Sequence, residues 1–282
     1  MSTDAPKTGN YQNMLKRNTT KYDPDFYETP PWITRALVNF LHAKGIGLGQ
    51  IWEPGCGRMK MVQTLQEFGY QVLASDKHAT DYGHDASLNI DFIDPAAPPA
   101  EDSVDWVVTN PPFGFATYPV EAKNGKMKNK RFYRPDEFML NALRAAKAGV
   151  AILVRTNQVA GVERLKNIYT PYPPTYFIQF PERLNFHKGA ARKGNGGGMV
   201  DFGWMVWVNP ASYPTAALPP QTELAWFAHN TQELLEQEGD YPPLTEEELA
   251  AIAANKAKKA AAAKAKREAR KAAKTEKAEE KG

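Results

Sequence analysis

The sequence predicts an α/β protein with a mostly parallel, doubly wound sheet, helices on both faces and an antiparallel hairpin at one edge. Two observations carry this prediction. Short apolar runs at 51–52, 72–74, 104–108, 150–154, 176–180 and 204–208 alternate with helix-periodic stretches at 59–68, 135–147 and 159–168. Such alternation needs crossover connections, which make neighbouring strands parallel and cover both faces of the sheet. The last two runs follow one another without a helix, which predicts an antiparallel pair at the edge.

Taken in order, residues 1–20 are polar and aperiodic and read as a disordered arm. Pro30 and Pro31 lead into a stretch with apolar residues at Ile33, Leu37, Val38 and Leu41. That spacing is helical, with proline at the start, where a missing N–H is tolerated. The first strand runs into E-P-G-C-G, so Gly55 and Gly57 occupy the turn before a helix. A turn of this kind lets a ligand approach the backbone and sets helix N–H groups beside it. The second strand ends at Asp76, where a carboxylate can take both hydroxyls of a ribose. A further strand end near Asp91 and Phe92 would offer a polar group and an aromatic face to an adenine.

The decisive stretch is V-D-W-V-V-T followed at once by Asn110, Pro111, Pro112 and Phe113. The prolines stiffen the turn and fix the direction of the preceding carbonyls. Asn110 presents an amide oxygen at the carboxyl end of the sheet, and Phe113 offers a flat face. Two acceptors and a stacking ring are what a planar amino group needs if its lone pair is to be freed for attack. A polar loop follows, in which Lys123, Lys126, Lys128, Lys130, Arg131 and Arg134 are interleaved with Phe132 and Tyr133. A second basic stretch, 183–198, holds Phe186, Lys188 and Arg192. Both follow presumed strands on the side of the Gly-rich turn, so contact with phosphates is expected, with Phe186 against a base.

The folded α/β domain is expected over 21–212, then a proline-rich linker and one helix (223–236) within 213–244, then an Ala/Lys-rich basic tail over 245–282. Thr245 and Glu248 form a capping box at the start of the tail. Of 35 basic and 32 acidic residues, eleven and four lie from Asn255 onward, so this segment carries +7 and the rest −4. The tail has no apolar stripe to bury after Ile252, which leaves solubility or attraction to a polyanion as its roles. No apolar run approaches the roughly 20 residues that span a bilayer, and the N-terminus does not read as a signal peptide. A single cysteine, Cys56, excludes an intrachain disulfide and a cysteine-based zinc cluster, and the five histidines show no metal spacing. A soluble, cytoplasmic, monomeric protein without a metal is expected.

E-P-G-C-G, Asp76 and Asn110-Pro-Pro-Phe, taken together, resemble class I S-adenosylmethionine-dependent methyltransferases of the amino-methylating group, in particular compact phage or prophage DNA adenine methyltransferases. The upstream D-F-Y-E-T-P resembles their N-terminal motif, and the resemblance covers residues 22–208. It implies a seven-stranded sheet, S-adenosylmethionine as cofactor and DNA as partner, with the adenine flipped out or single-stranded. It also implies roles. Glu53, Gly55 and Gly57 would line the cofactor, Asp76 would bind its ribose, and Asp91 with Phe92 would flank its adenine. Tyr27, Thr29 and Pro30 would close over the methionine portion. Asn110 and the Pro111 carbonyl would accept the amine hydrogens, and Phe113 would stack on the target base. Met59 stands where the family's turn usually carries another glycine, and its side chain is expected to crowd the cofactor. Glutamine in protein, adenine in RNA, and a non-catalytic protein of the same fold are the other readings of these motifs.

Overall fold

The computed structural model describes residues 27–122, 124–184, 186, 200–243, 246, 249, 250, 253 and 254. The chain separates into residues 1–241 and a second unit, 242–282. In the second unit the described residues 246, 249, 250, 253 and 254 are helical. The predicted N-terminal arm and the tail beyond 254 lie outside the described residues.

The first unit opens with α1 (Pro31–Ala43), β1 (Ile51–Glu53), α2 (Lys60–Glu67), β2 (Val72–Ala74) and β3 (Val104–Thr109). There follow β4 (Phe115–Glu121), β5 (Met127–Tyr133), α3 (Arg134–Ala145), β6 (Ala146–Arg155), the short α4 (Val162–Arg164), β7 (Tyr176–Gln179), β8 (Phe202–Val208), β9 (Glu223–Trp226) and α5 (Thr231–Leu235). Seven strands form one sheet in the order β2-β1-β3-β6-β8-β7-β9. Strands β2, β1, β3 and β6 pair in parallel, β8 pairs antiparallel with both β6 and β7, and β9 pairs in parallel with β7. Only β8 runs against the rest, so the doubly wound, mostly parallel sheet is as predicted.

Three elements differ from expectation. Residues 91–92 lie in a turn and form no strand; just upstream, Asn89 makes an isolated parallel bridge with Asp76. The seventh strand is instead β9, inside the stretch expected to be helical, where only Thr231–Leu235 forms a helix. Pairing with β7 outweighs the helix propensity of Glu-Leu-Ala. The antiparallel pair β7–β8 therefore lies inside the sheet, with β9 as the edge.

Alternation along the central strands distributes the core. Trp106, Val108, Ala151 and Leu153 face a layer with α1 and α2, whereas Val107, Val150, Ile152 and Val154 face a layer with α3. Trp106 lies flat over Gly149, where a Cβ would sit 2.3 Å from the indole, so glycine is required there by close approach. On the α1 side, buried Arg35 holds Asp240 at 2.8 and 2.9 Å and Glu67 at 2.8 and 2.9 Å, tying α1 to α2 and to the segment after α5. Because β1 has β2 on one side and β3 on the other, the strand order reverses between β1 and β3. In open α/β sheets the crevice beyond the carboxyl ends of such strands is where ligands bind.

Candidate active site

A cleft opens at that reversal, beyond the ends of β1, β2 and β3. Glu53 ends β1 and is fully buried; its Oε1 accepts the Thr109 hydroxyl at 2.6 Å and the Gly55 N–H at 3.2 Å. Its Oε2 is buried and meets no donor. Burial pushes the carboxyl up to about 8, outweighing the two hydrogen bonds that favour the anion.

The turn after β1 is clamped from two sides. Asp76 accepts the Gly57 N–H at 3.0 Å on one oxygen and the His78 N–H at 2.8 Å on the other. His84 Nε2 donates to the Gly57 carbonyl at 2.8 Å. Gly57 has φ +48°, a conformation that favours glycine. Met59 also has positive φ, +68°, and serves as the residue before α2. Met61 lines the cleft and Met59 is not among the lining residues, so the expected crowding is replaced by a backbone effect. Cys56 is buried in the same turn, and burial, reinforced by Glu53 and Asp76, pushes its thiol up to about 12.

Strand β3 delivers Asn110. Its Nδ2 donates to the Thr29 hydroxyl at 3.0 Å, and its Oδ1 is buried without a partner. Thr29, two residues before α1, thus sets the amide so that its oxygen is the free end. Tyr27, Thr29, Glu53, Gly55, Gly57, Asp76, Asp91, Phe92, Asn110 and Pro112 all line the cleft. Pro30 is the residue before α1 and is buried behind the rim, and Pro111 is buried within its turn.

The aromatic residues are placed differently from expectation. Phe113 is 7% exposed, with the Arg155 guanidinium 4.2 Å from its ring centroid and Phe202 edge-on at 6.0 Å. Phe186 packs on the same Phe202 at 4.8 Å, so Phe113 and Phe186 belong to one aromatic row. Phe92 is 2% exposed and wedged between Trp52 and Phe138, at 5.0 and 5.2 Å; it reaches the cleft as part of the core and does not present an open face. Asp91 is engaged by the Lys77 ammonium at 2.8 Å and the Tyr118 hydroxyl at 2.6 Å.

The expected polar loop after Phe113 is a two-stranded hairpin, β4 paired with β5. Its turn closes through Gly125, with φ +77° and its N–H on the Ala122 carbonyl at 2.8 Å. The basic residues divide between its faces. Lys128 and Lys130 sit opposite Val120 and Tyr118, while Arg131 sits opposite Thr117. On that second face Arg131 covers the ring of half-exposed Phe115, 3.7 Å from its centroid. Lys126, Lys128, Lys130 and Arg131 are exposed and form no ion pair with another described residue. Lys188 and Arg192 lie outside the described residues.

The sequence reading missed Lys77, Tyr118, His84 and the hairpin. A signal for the hairpin was present: Asn124-Gly125 followed by lysine at every second position, 126, 128 and 130. Among the described residues no cluster of three or more His, Cys, Asp or Glu could hold a metal ion, and no helix is long and apolar enough to cross a membrane.

No protein-family profile matches the chain, and no curated protein does. Among solved structures the chain is similar to a protein described as a candidate class I S-adenosylmethionine-dependent methyltransferase from Listeria monocytogenes (18% identity, 73% of this chain, 68% of that one, TM-score 0.48). It is similar to the methyltransferase subunit of a type I restriction-modification system from Streptococcus thermophilus (14% identity, 81% of this chain, TM-score 0.46), of which it spans 52%. A third similarity is to a candidate RNA methyltransferase from Pyrococcus horikoshii (15% identity, 65% of this chain, 84% of that one, TM-score 0.41). Likeness at this level concerns the path of the chain and does not reach the side chains.

Proposed function

We propose that the chain is an S-adenosylmethionine-dependent methyltransferase acting on the exocyclic amine of adenine in DNA. The observation that carries the reading is the buried, unpartnered Oδ1 of Asn110 at the carboxyl end of β3, beside the cleft that holds Glu53 and Asp76. A buried acceptor without a donor is costly unless a ligand supplies one, and an amine hydrogen is such a donor.

The residues present fit the cofactor. Glu53 Oε2, buried and unpartnered, suits the ammonium of the methionine end. Asp76, oriented by two backbone N–H groups, lines the cleft after β2, where a carboxylate can take ribose hydroxyls. Tyr27 and Thr29 close the cleft from the start of α1. When bound, the cofactor supplies an electrophilic methyl group on a sulfonium.

Asn110 Oδ1 and the Pro111 carbonyl accept the two amine hydrogens, which favours the tetrahedral nitrogen of a direct displacement over the planar ground state. No covalent intermediate on the protein is required, consistent with the raised Cys56 thiol, which leaves little thiolate. An adenine inside a duplex must be flipped out to reach the turn, whereas a single-stranded one need not be. The aromatic row of Phe113, Phe202 and Phe186 supplies an apolar wall for it. The exposed cations of the hairpin, with Lys188 and Arg192, supply phosphate contacts, and D-F-Y-E-T-P favours DNA over the other candidate substrates.

The test is incubation of the full chain with methyl-labelled S-adenosylmethionine and plasmid DNA, with RNA and protein in parallel reactions, followed by digestion to nucleosides or amino acids. Label in N6-methyldeoxyadenosine is expected. Label in cytosine alone, in RNA or protein alone, or none above a no-enzyme control, overturns the reading.

A further inference from the structure

We infer that Tyr118 is a positioning residue that fastens the β4–β5 hairpin to the rim of the cofactor cleft, so that filling the cleft and gripping the nucleic acid reinforce one another. The identity of the two ligands rests on the methyltransferase reading; the fastening rests on geometry alone.

Ala116 and Tyr118 pack the hairpin against the core layer on the α3 side, and a few hydrogen bonds among the described residues fix its position there. Its two strands pair only with each other and join no larger sheet, and an isolated two-stranded hairpin is at best marginally stable in water. At its base the Arg134 N–H meets the Gly114 carbonyl at 2.9 Å, and Gln158 Nε2 donates to the Tyr133 hydroxyl at 2.6 Å. Further out, β4 alternates exposed and half-buried residues, so Ala116, Tyr118 and Val120 share the face turned toward the body. Tyr118 crosses the gap: its hydroxyl donates to Asp91 Oδ2 at 2.6 Å.

Asp91 is itself well placed to serve as an anchor. Its turn is pinned to α3 by Asn141 Nδ2 on the Phe92 carbonyl at 2.7 Å. The same Asp91 oxygen takes the Lys77 ammonium at 2.8 Å, and that ammonium lies 5.3 Å from the Tyr118 ring centroid. Lys77 directly follows Asp76, whose carboxylate holds the Gly57 N–H. One chain of contacts therefore runs from the glycine turn through Asp76, Lys77 and Asp91 to Tyr118 and the hairpin.

Asp76, Lys77, Asp91 and Tyr118 all line the cleft, so an occupant touches the side chains that hold the hairpin. Lys130 and Lys128 stand opposite Tyr118 and Val120 in the register, so the same fastening sets the position of two cations. An occupant that stiffens this chain lowers the ordering cost of gripping a polyanion, and by linkage the polyanion tightens the occupant by the same factor.

The full chain is titrated with S-adenosylhomocysteine by calorimetry, alone and in the presence of a saturating short duplex. The unmodified protein should bind at least about fivefold more tightly with the duplex, the low end of usual coupling. Tyr118→Phe keeps the ring beside Lys77 and removes only the hydroxyl; its coupling should fall to about twofold or less. In ligand-free protein, amide exchange within 115–121 and 127–133 should quicken in this variant and stay unchanged in β3 and β6. Wild-type coupling in Tyr118→Phe, no coupling in the unmodified protein, or hairpin exchange that does not change overturns the inference. If the unmodified protein binds no S-adenosylhomocysteine, the methyltransferase reading fails, and the exchange comparison still decides whether Tyr118 fastens the hairpin.

Discussion

Strands β3 and β5 are close in length, six residues against seven. They are held by opposite means. β3 is paired on both sides and buries Val104, Trp106, Val107, Val108 and Thr109. β5 is paired on one side only, and its first five residues are exposed. The lesson concerns what each can be trusted to do. A strand packed on both faces fixes the atom at its end, and Asn110 Oδ1 is such an atom. A strand held by a turn and a few rim contacts suits cations that must adapt to a backbone of phosphates.

The largest effect should come from the rigid side. Asn110→Ala removes the acceptor aimed at the amine and is expected to lower kcat by about 10²–10³-fold, the usual scale for one preorganised polar group. Affinity for the cofactor should stay within a few-fold, because Glu53 and Asp76 are untouched. A rapid-quench assay beside a calorimetric titration checks both numbers, and equal losses in binding and turnover would move Asn110 into the cofactor site.

Next in size is a pH effect at the end of β1. Glu53 must lose its proton to meet an ammonium, and burial holds that carboxyl at about 8. Cofactor affinity should therefore rise by up to about tenfold per pH unit below that value and level off above it. Glu53→Gln should bind more weakly and flatten the profile. The ligand-free fold responds in the other direction. With an ordinary value of 4.5 in the unfolded chain and about 8 in the fold, the folded state holds the extra proton between those values. Stability from this group is thus greatest below the lower value and falls as pH rises toward the upper one. The Tm of Glu53→Gln should lack that decline.

What could be read in advance follows the same division. The runs that became β1, β3, β6 and β8 are apolar because both sheet faces are covered, and that content is visible without neighbours. The positions of the glycine turn and Asn110 were readable because each follows such a run, and that of Asp76 because it follows the short β2. The hairpin was not read, since Lys126, Lys128 and Lys130 have the composition of a loop, and only the Asn124-Gly125 turn and the two-residue spacing mark it. β9 was hidden for another reason. Glu-Leu-Ala-Trp favours a helix locally and is made a strand by β7, a partner 47 residues earlier when Tyr176 is matched with Glu223. The contact between Asp91 and Tyr118 was not legible, because nothing near Asp91 announces a partner 27 residues further on.

On the adaptive side the effect should be smaller and dependent on salt. Lys128→Ala combined with Lys130→Ala removes two exposed cations from the face shared with Tyr118. If each meets one phosphate, the slope of log affinity against log salt on duplex DNA should flatten by about 0.9 per contact. Turnover at saturating DNA should be retained, since neither lysine reaches Asn110 in the described contacts. A slope that does not move would transfer the phosphate contacts to the basic stretch around Lys188 and Arg192.

The smallest effect tests whether the rigid side is also relaxed. Among the described residues Met59 is one of two non-glycine residues with positive φ, at +68°, in the turn that positions Gly57 against Asp76 and His84. A side chain in that left-handed conformation costs about 1 kcal/mol relative to glycine. Glycine also loses more conformational freedom on folding, which offsets part of the gain. Met59→Gly is therefore expected to raise stability by about 0.5–1 kcal/mol, read from the midpoint of denaturant unfolding at unchanged slope. Because Met61, and not Met59, faces the cleft, cofactor affinity should hold within twofold. A marked loss of affinity with raised stability would mean that the strained turn is kept because it sets the Gly57 peptide for the ligand, which is how strain at a binding site persists. Lost stability would mean instead that the half-buried methionine side chain packs for more than its backbone conformation costs.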